Sequence, residues 1–266
     1  MQTISRPFMP TRNVLDSVPI CRLAGYPVAA LDNAQTIVLC QDILNSGQPC
    51  WMVTLNLEMV SRGKLDSSYR ELIQKSDLFI ADGMPLVWGS KMKRGVPSIP
   101  ERAAGADLTV ELIRLVSSDK IAIIGGKDPI QALQKIGLKN PEAAYIFNGK
   151  VEATAEAADE FAAEIKRRGS QLVFVALGVP KQDRIAALLR ERLDQGLLVG
   201  VGGTFELMAG QLKRAPAWMR KSGFEWLFRL LQEPKRLAHR YLVVYWVGGF
   251  ALAGDIVKSW FRGGKD

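Results

Sequence analysis

QLVFVALGVPKQDRIAALLRERLDQGLLVGVGG, residues 171–203, holds a complete alternation of strand, helix and strand. QLVFVALG (171–178) and LLVGVGG (197–203) are apolar runs of strand length that close on glycine. Residues 181–193 between them mix apolar and charged positions at helical spacing. Strands apolar on both faces must be covered on both, which predicts a parallel sheet between two helical layers.

The alternation continues upstream. KIAIIGG (120–126) reads as a strand stopping at two glycines, followed by a helix over 129–137, a strand over 144–147 and a helix over 155–168. Nearer the N-terminus, Asp32 can cap a helix that runs through Leu44 and ends near Gly47. CWMVTL (50–55) is a short buried strand, 61–75 is helical, and DLFIA (77–81) is an apolar run closed by Asp82-Gly83. Helices over about 85–93 and 106–116 follow. The expected fold is a Rossmann-like α/β fold: a mostly parallel sheet with helices on both faces. Ligands bind such sheets beyond the carboxyl ends of the strands. The residues to watch are therefore Thr54 and Asn56, Asp82 and Gly83, Gly125 and Gly126, Gly178 to Asp183, and Gly202 to Glu206.

With 266 residues, 48% apolar and 23% charged, the chain suits one large domain plus an appendage, and no segment is repetitive or biased. Cys21, Cys40 and Cys50 form no CxxC pair, which favours a reducing compartment. MQTISRPFMP lacks the apolar core of a signal peptide, so a cytoplasmic protein is expected. The longest uncharged run, Tyr241 to Gly254, has 14 residues against the roughly 20 of a spanning helix.

The charge is unevenly placed. Residues 211–266 hold eleven Lys/Arg against four Asp/Glu, and so carry +7 of the net +8. There the cations interleave with Trp218, Phe224, Trp226, Phe228, Tyr241, Tyr245 and Trp246. That mixture suits a membrane surface better than nucleic acid. Residues 1–210 read as the α/β core, and 211–266 as a helical, membrane-associating appendage.

Several chemistries lack their residues. There is no GxxxxGK[ST] loop, GxSxG elbow, HExxH or DxD, and His239 is the sole histidine. GVGGTF (200–205) and IIGGKD (123–128) can contact a nucleotide or simply form tight turns. Asp82, at a strand end, is either a general base or a turn aspartate. Thr54 and Asn56 offer sugar or base hydrogen bonds, or are polar strand ends, and Gln182 and Asp183 are a helix start or ligand contacts. Arg229, Arg236 and Arg240 are spaced 7 and 4 apart, within roughly 40° on a continuous helix. That stripe fits a diphosphate or a lipid headgroup, and Pro234 can split the helix that carries it.

Taken together these blocks resemble the WecG/TagA/CpsF glycosyltransferase family, family 26 of the glycosyltransferases. The resemblance is carried by TLN (54–56), ADG (81–83), ERAAGADL (101–108), the IIGG strand end, GVPKQD (178–183), GVGGTFELMAGQLKRAP (200–216) and EWLFRLLQEPKRLAHRYL (225–242). Asp183 and Glu206 depart from the family pattern, where glutamate and aspartate are usual, and keep its charge. The resemblance implies an inverting transferase that moves a sugar from a UDP donor to a polyprenyl-diphosphate-linked saccharide. It would work at the inner face of the cell membrane, without metal or cofactor.

In that reading Asp82 is the base, and Arg229, Arg236 and Arg240 neutralise the leaving UDP. Thr54, Asn56, Gly83, Arg102, Gly125, Gly126, Gly178, Gln182, Gly202 and Gly203 hold substrates. The ADGMPLVW block favours a hexose donor of glucose type, with N-acetylmannosamine the other, and no residue can be assigned as cation for an acidic donor. A homo-oligomer is compatible with this reading. The rivals are an NAD-type oxidoreductase built on the glycine turns and a non-enzymatic membrane- or nucleic-acid-binding module built on the tail.

Overall fold

The structure, a computed structural model, describes residues 11–216, 218–219, 223–239 and 244–261. The eight strands are β1 (Ile20–Leu23), β2 (Tyr26–Ala29), β3 (Pro49–Leu55), β4 (Leu78–Ala81), β5 (Ile121–Gly125), β6 (Tyr145–Phe147), β7 (Leu172–Ala176) and β8 (Gly196–Gly200). They form one sheet in the order β1-β2-β4-β3-β8-β7-β5-β6. Every pairing is parallel except β1 with β2. The fold is thus the expected α/β class. The sheet's switch point lies between β3 and β8, because the chain leaves β3 toward β4 and returns beside it only with β8.

The helices are α1 (Thr11–Asp16), α2 (Asn33–Ser46), α3 (Leu57–Leu65), α4 (Ser67–Gln74), α5 (Met84–Met92), α6 (Gly105–Ile113), α7 (Pro129–Lys135), α8 (Ala155–Arg168), α9 (Lys181–Arg192) and α10 (Thr204–Met208). Those of the C-terminal segment are α11 (Glu225–Gln232), α12 (Pro234–His239) and α13 (Tyr245–Phe261). Asp32 caps α2 as expected: it accepts from Gln35 N at 2.7 Å while the Gln35 side chain accepts from Asp32 N at 2.9 Å. Successive β3 residues serve opposite faces, with Trp51, Val53 and Leu55 in one core layer and Cys50 and Met52 in the other.

Two local features differ from the sequence reading. The β1/β2 hairpin was not expected; its turn is Ala24 and Gly25, both at positive φ (49° and 88°), as in primed hairpin turns. The helical stretch 61–75 is two helices, since Asp66 is extended (φ −133°, ψ 106°) and its carboxylate accepts from Ser68 N and Tyr69 N to start α4.

The C-terminal segment is packed into the body. Leu252 and Ile256 of α13 belong to the core layer under β3, and Asp255 accepts from Ala24 N at 2.7 Å and from Lys93 Nζ at 2.8 Å. Gly248 lets α13 lie directly on α3, donating its N–H to Ser61 Oγ at 2.8 Å. Among the described residues no helix is long and apolar enough to cross a membrane. A Cβ on Gly248 would stand 2.5 Å from Ser61 Oγ and 2.6 Å from the Leu57 carbonyl oxygen. Gly248→Ala is therefore expected to lower stability by about 1–3 kcal/mol, read as a lower urea midpoint at unchanged slope. An unchanged midpoint would mean that α13 yields at no cost.

Candidate active site

The parallel pairing of β3 with β8 brings the carboxyl ends of both strands together, and Thr54 ties them by donating its hydroxyl to the Gly200 carbonyl at 3.1 Å. Two residues on, Asn56 caps α3, its Oδ1 accepting from Met59 N at 3.2 Å. That bond leaves its amide N–H groups for a ligand. From the neighbouring strand Asp82 N donates to the Leu55 carbonyl at 2.7 Å, which fixes Asp82 beside Asn56. Gly83 then turns the chain into α5 at φ 150°, a conformation that L side chains rarely adopt.

On the other side of the switch point Gln182 is buried, and its Oε1 accepts from Gly202 N at 3.0 Å, so the β8 turn is held from α9. Thr54, Asn56, Asp82, Gln182 and Gly202 share a cavity of about 640 Å3 with Gly178, Gly203 and Arg229. A second cavity, about 420 Å3, is lined by Asn56, Asp82, Gly83, Met84, Arg102, Glu225, Trp226, Arg229, Tyr245 and Trp246. Asn56, Asp82 and Arg229 stand in the wall common to both.

The charges at that wall are coupled. Burial pushes the Asp82 carboxyl above the usual carboxylate range; Arg102 and Arg229 pull it back and Glu225 adds to the rise. Glu225 accepts from Arg102 Nη2 at 2.6 Å and from Arg229 Nη2 at 3.0 Å. Burial would raise Glu225, but the two arginines outweigh it and hold the carboxyl below its ordinary value. A partly desolvated carboxylate beside guanidiniums can take a proton from a hydroxyl while the cations bind phosphate.

Gly125 and Gly126 line neither cavity; a Cβ on Gly125 would meet the Ala176 carbonyl at 2.7 Å, and one on Gly126 would touch Phe205. Pro234 opens α12, which puts Arg229 and Arg236 on separate helices and ends the single-stripe geometry. Arg240 lies outside the described residues. The sequence reading missed Glu58, Arg62 and Tyr69, which reach the first cavity because α3 and α4 are separate, and also Lys213. Arg62 is a cation there, but Glu58 Oε1 holds its Nε and Nη2 at 3.2 Å. No sequence pattern marked them; only the Asp66 cap could have.

The chain matches the glycosyl transferase WecG/TagA/CpsF family over residues 21–262. It belongs to this family. The protein is accordingly a glycosyltransferase of cell-surface polysaccharide synthesis, and the oxidoreductase and non-enzymatic readings fall away. The transferase's Asp183 is buried behind the first cavity and accepts from Tyr69 Oη at 2.8 Å. Burial pushes its carboxyl up to about 7, against hydrogen bonds from Tyr69 and Gln182.

A carboxyl raised on folding stabilises the fold while protonated, so this contribution is full below the ordinary carboxylate range and is lost as pH climbs toward 7. Asp183→Asn, neutral throughout, should gain stability relative to the native transferase between pH 5 and pH 8 in urea unfolding. A difference that does not vary with pH would mean that Asp183 is ionised across the range.

Proposed function

We propose that the transferase moves a hexose, of glucose or N-acetylmannosamine type, from a UDP-sugar to a polyprenyl-diphosphate-linked saccharide, with inversion and without a metal. The observation that carries this reading is the wall where Asp82 and Arg229 separate a cavity built from strand-end turns from one lined by Met84, Trp226, Tyr245 and Trp246. The first suits a nucleotide-sugar at the β3/β8 switch point. The second suits an acceptor whose lipid must stay out of water.

In the transfer the acceptor hydroxyl oxygen attacks the anomeric carbon from the face opposite UDP, and Asp82 takes the hydroxyl proton. The bond from that carbon to the β-phosphate oxygen breaks, and its electron pair leaves with UDP. Arg229 and Arg102 face the charge that develops on the diphosphate, and we extend the same role to Arg236 and Arg240 on the family resemblance. Thr54, Asn56, Gly83, Gly178, Gln182, Gly202 and Gly203 form the binding surface.

The working location is the inner face of the cell membrane, with residues 211–266 both completing the site and contacting lipid. Trp246, Phe250, Val257 and Phe261 of α13 are exposed, and their spacings of 4, 7 and 4 put them within roughly 60° of one face over about 22 Å. Trp246 also lines the second cavity, so the acceptor's lipid can run from the site onto that stripe. Exposed Lys235 and Lys258 supply charge for anionic headgroups.

Two experiments test this reading. Asp82→Asn keeps shape and removes basicity, so turnover should fall by about 10² to 10⁴ while UDP-sugar binding persists; near-normal turnover would leave Asp82 a turn residue. Replacing Trp246 and Phe250 by Ser should weaken flotation with phosphatidylglycerol vesicles and spare activity on a detergent-dispersed acceptor. Flotation equal to that of the native protein would remove α13 as the membrane face.

A further inference from the structure

Glu225 is one carboxylate shared by two arginines from distant parts of the chain. Arg102 follows α5, whereas Glu225 and Arg229 lie one turn apart on α11. Each arginine gives Glu225 its Nη2 alone, so Nε and Nη1 of both keep their N–H groups for another anion. The Glu225 side chain is 14% exposed and that of Arg229 is 49% exposed. Without the carboxylate the two guanidiniums would repel, and Arg229 has open solvent to turn into. All three line the second cavity with Asp82.

We propose that Glu225 is a positioning residue for the transfer: its shared carboxylate fixes Arg229 in the wall between the cavities and Arg102 beside it in the second, with N–H groups to spare for a diphosphate, and keeps Asp82 from facing two cations alone. This rests on the transferase reading above for the identity of the diphosphate. The charged groups facing Asp82 are Arg102 from the segment after α5 and Glu225 and Arg229 from α11, and the Gly105 backbone at the start of α6 lies against its carboxylate. The arginines favour the ionised form of Asp82, while Glu225 opposes it. Taking away the charge of Glu225 therefore makes Asp82 a weaker base.

Glu225→Gln keeps the shape and removes the charge, and its one carbonyl oxygen can still accept from one of the two guanidiniums. In the substrate-free protein the Asp82 carboxyl, followed by 13C NMR, should titrate at lower pH in Glu225→Gln than in the native chain. The acid limb of kcat/KM with the UDP-sugar should move in the same direction. Glu225→Ala loses the remaining half of the clasp as well, and its turnover at saturating donor should fall about tenfold or more below that of Glu225→Gln. An Asp82 titration unmoved in Glu225→Gln, or a folded Glu225→Ala that turns over like the native enzyme, overturns the inference. The NMR arm uses no substrate: a moved titration with no turnover from any UDP-sugar supports the positioning role and overturns the donor assignment instead.

Discussion

The parallel pairing of β3 with β8, from Pro49↔Gly196 to Met52↔Val199, is the constraint on which the site depends. These strands are far apart in sequence, and their register sets which strand-end residues meet. It brings Thr54 to the Gly200 carbonyl, and the next strand over, β4, brings Asp82 to Leu55. A slip of one residue would turn every inward side chain of β3 to the opposite face. The unbroken apolar character of both strands permits such a slip; the large buried Trp51 of β3 opposes it, because it fits only one layer.

In the proposed mechanism, Asp82 as base and its neighbouring arginines as diphosphate ligands make conflicting demands on charge. A base needs to hold a proton at intermediate strength, whereas a diphosphate needs cations close by, and cations weaken the base. Burial and Glu225 act against Arg102 and Arg229, so that Asp82 stays above the ordinary carboxylate range with both arginines present. Desolvation is tolerable because the Arg102 and Glu225 charges are paired. The pairing also fastens α11 to the body of the protein beside the site.

The C-terminal segment is at once a layer of the fold and the outer wall of the site. Its last helix buries Leu252 and Ile256 and shows Trp246, Phe250, Val257 and Phe261 on the other side. Gly248 permits this by close approach to α3, whose first turn carries Glu58 and whose cap is Asn56. One side of α13 thus touches the helix that frames the first cavity, and Trp246 opens onto the second.

Read alone, the sequence determined the α/β class, the helices α2 and α5 to α9 within a few residues, α3 and α4 as one helical stretch, and the segments just after strands in which Thr54, Asn56, Asp82, Gly178, Gln182 and Gly202 lie. Those signals are local: apolar runs, capping aspartates and closing glycines act within a few residues of where they are read. The WecG/TagA/CpsF membership was legible too, since its blocks are short and ordered along the chain. The β1/β2 hairpin was not, because its four-residue strands are too short to show a period. Only the tertiary structure decided that Gly125 and Gly126 pack against Ala176 and Phe205 outside both cavities, that α3 and α4 bend at Asp66, and that Glu225 joins Arg102 to Arg229. The physical reason is distance along the chain: Arg102 and Glu225 are 123 residues apart, and no periodicity or propensity records which charges a folded sheet will bring within one hydrogen bond.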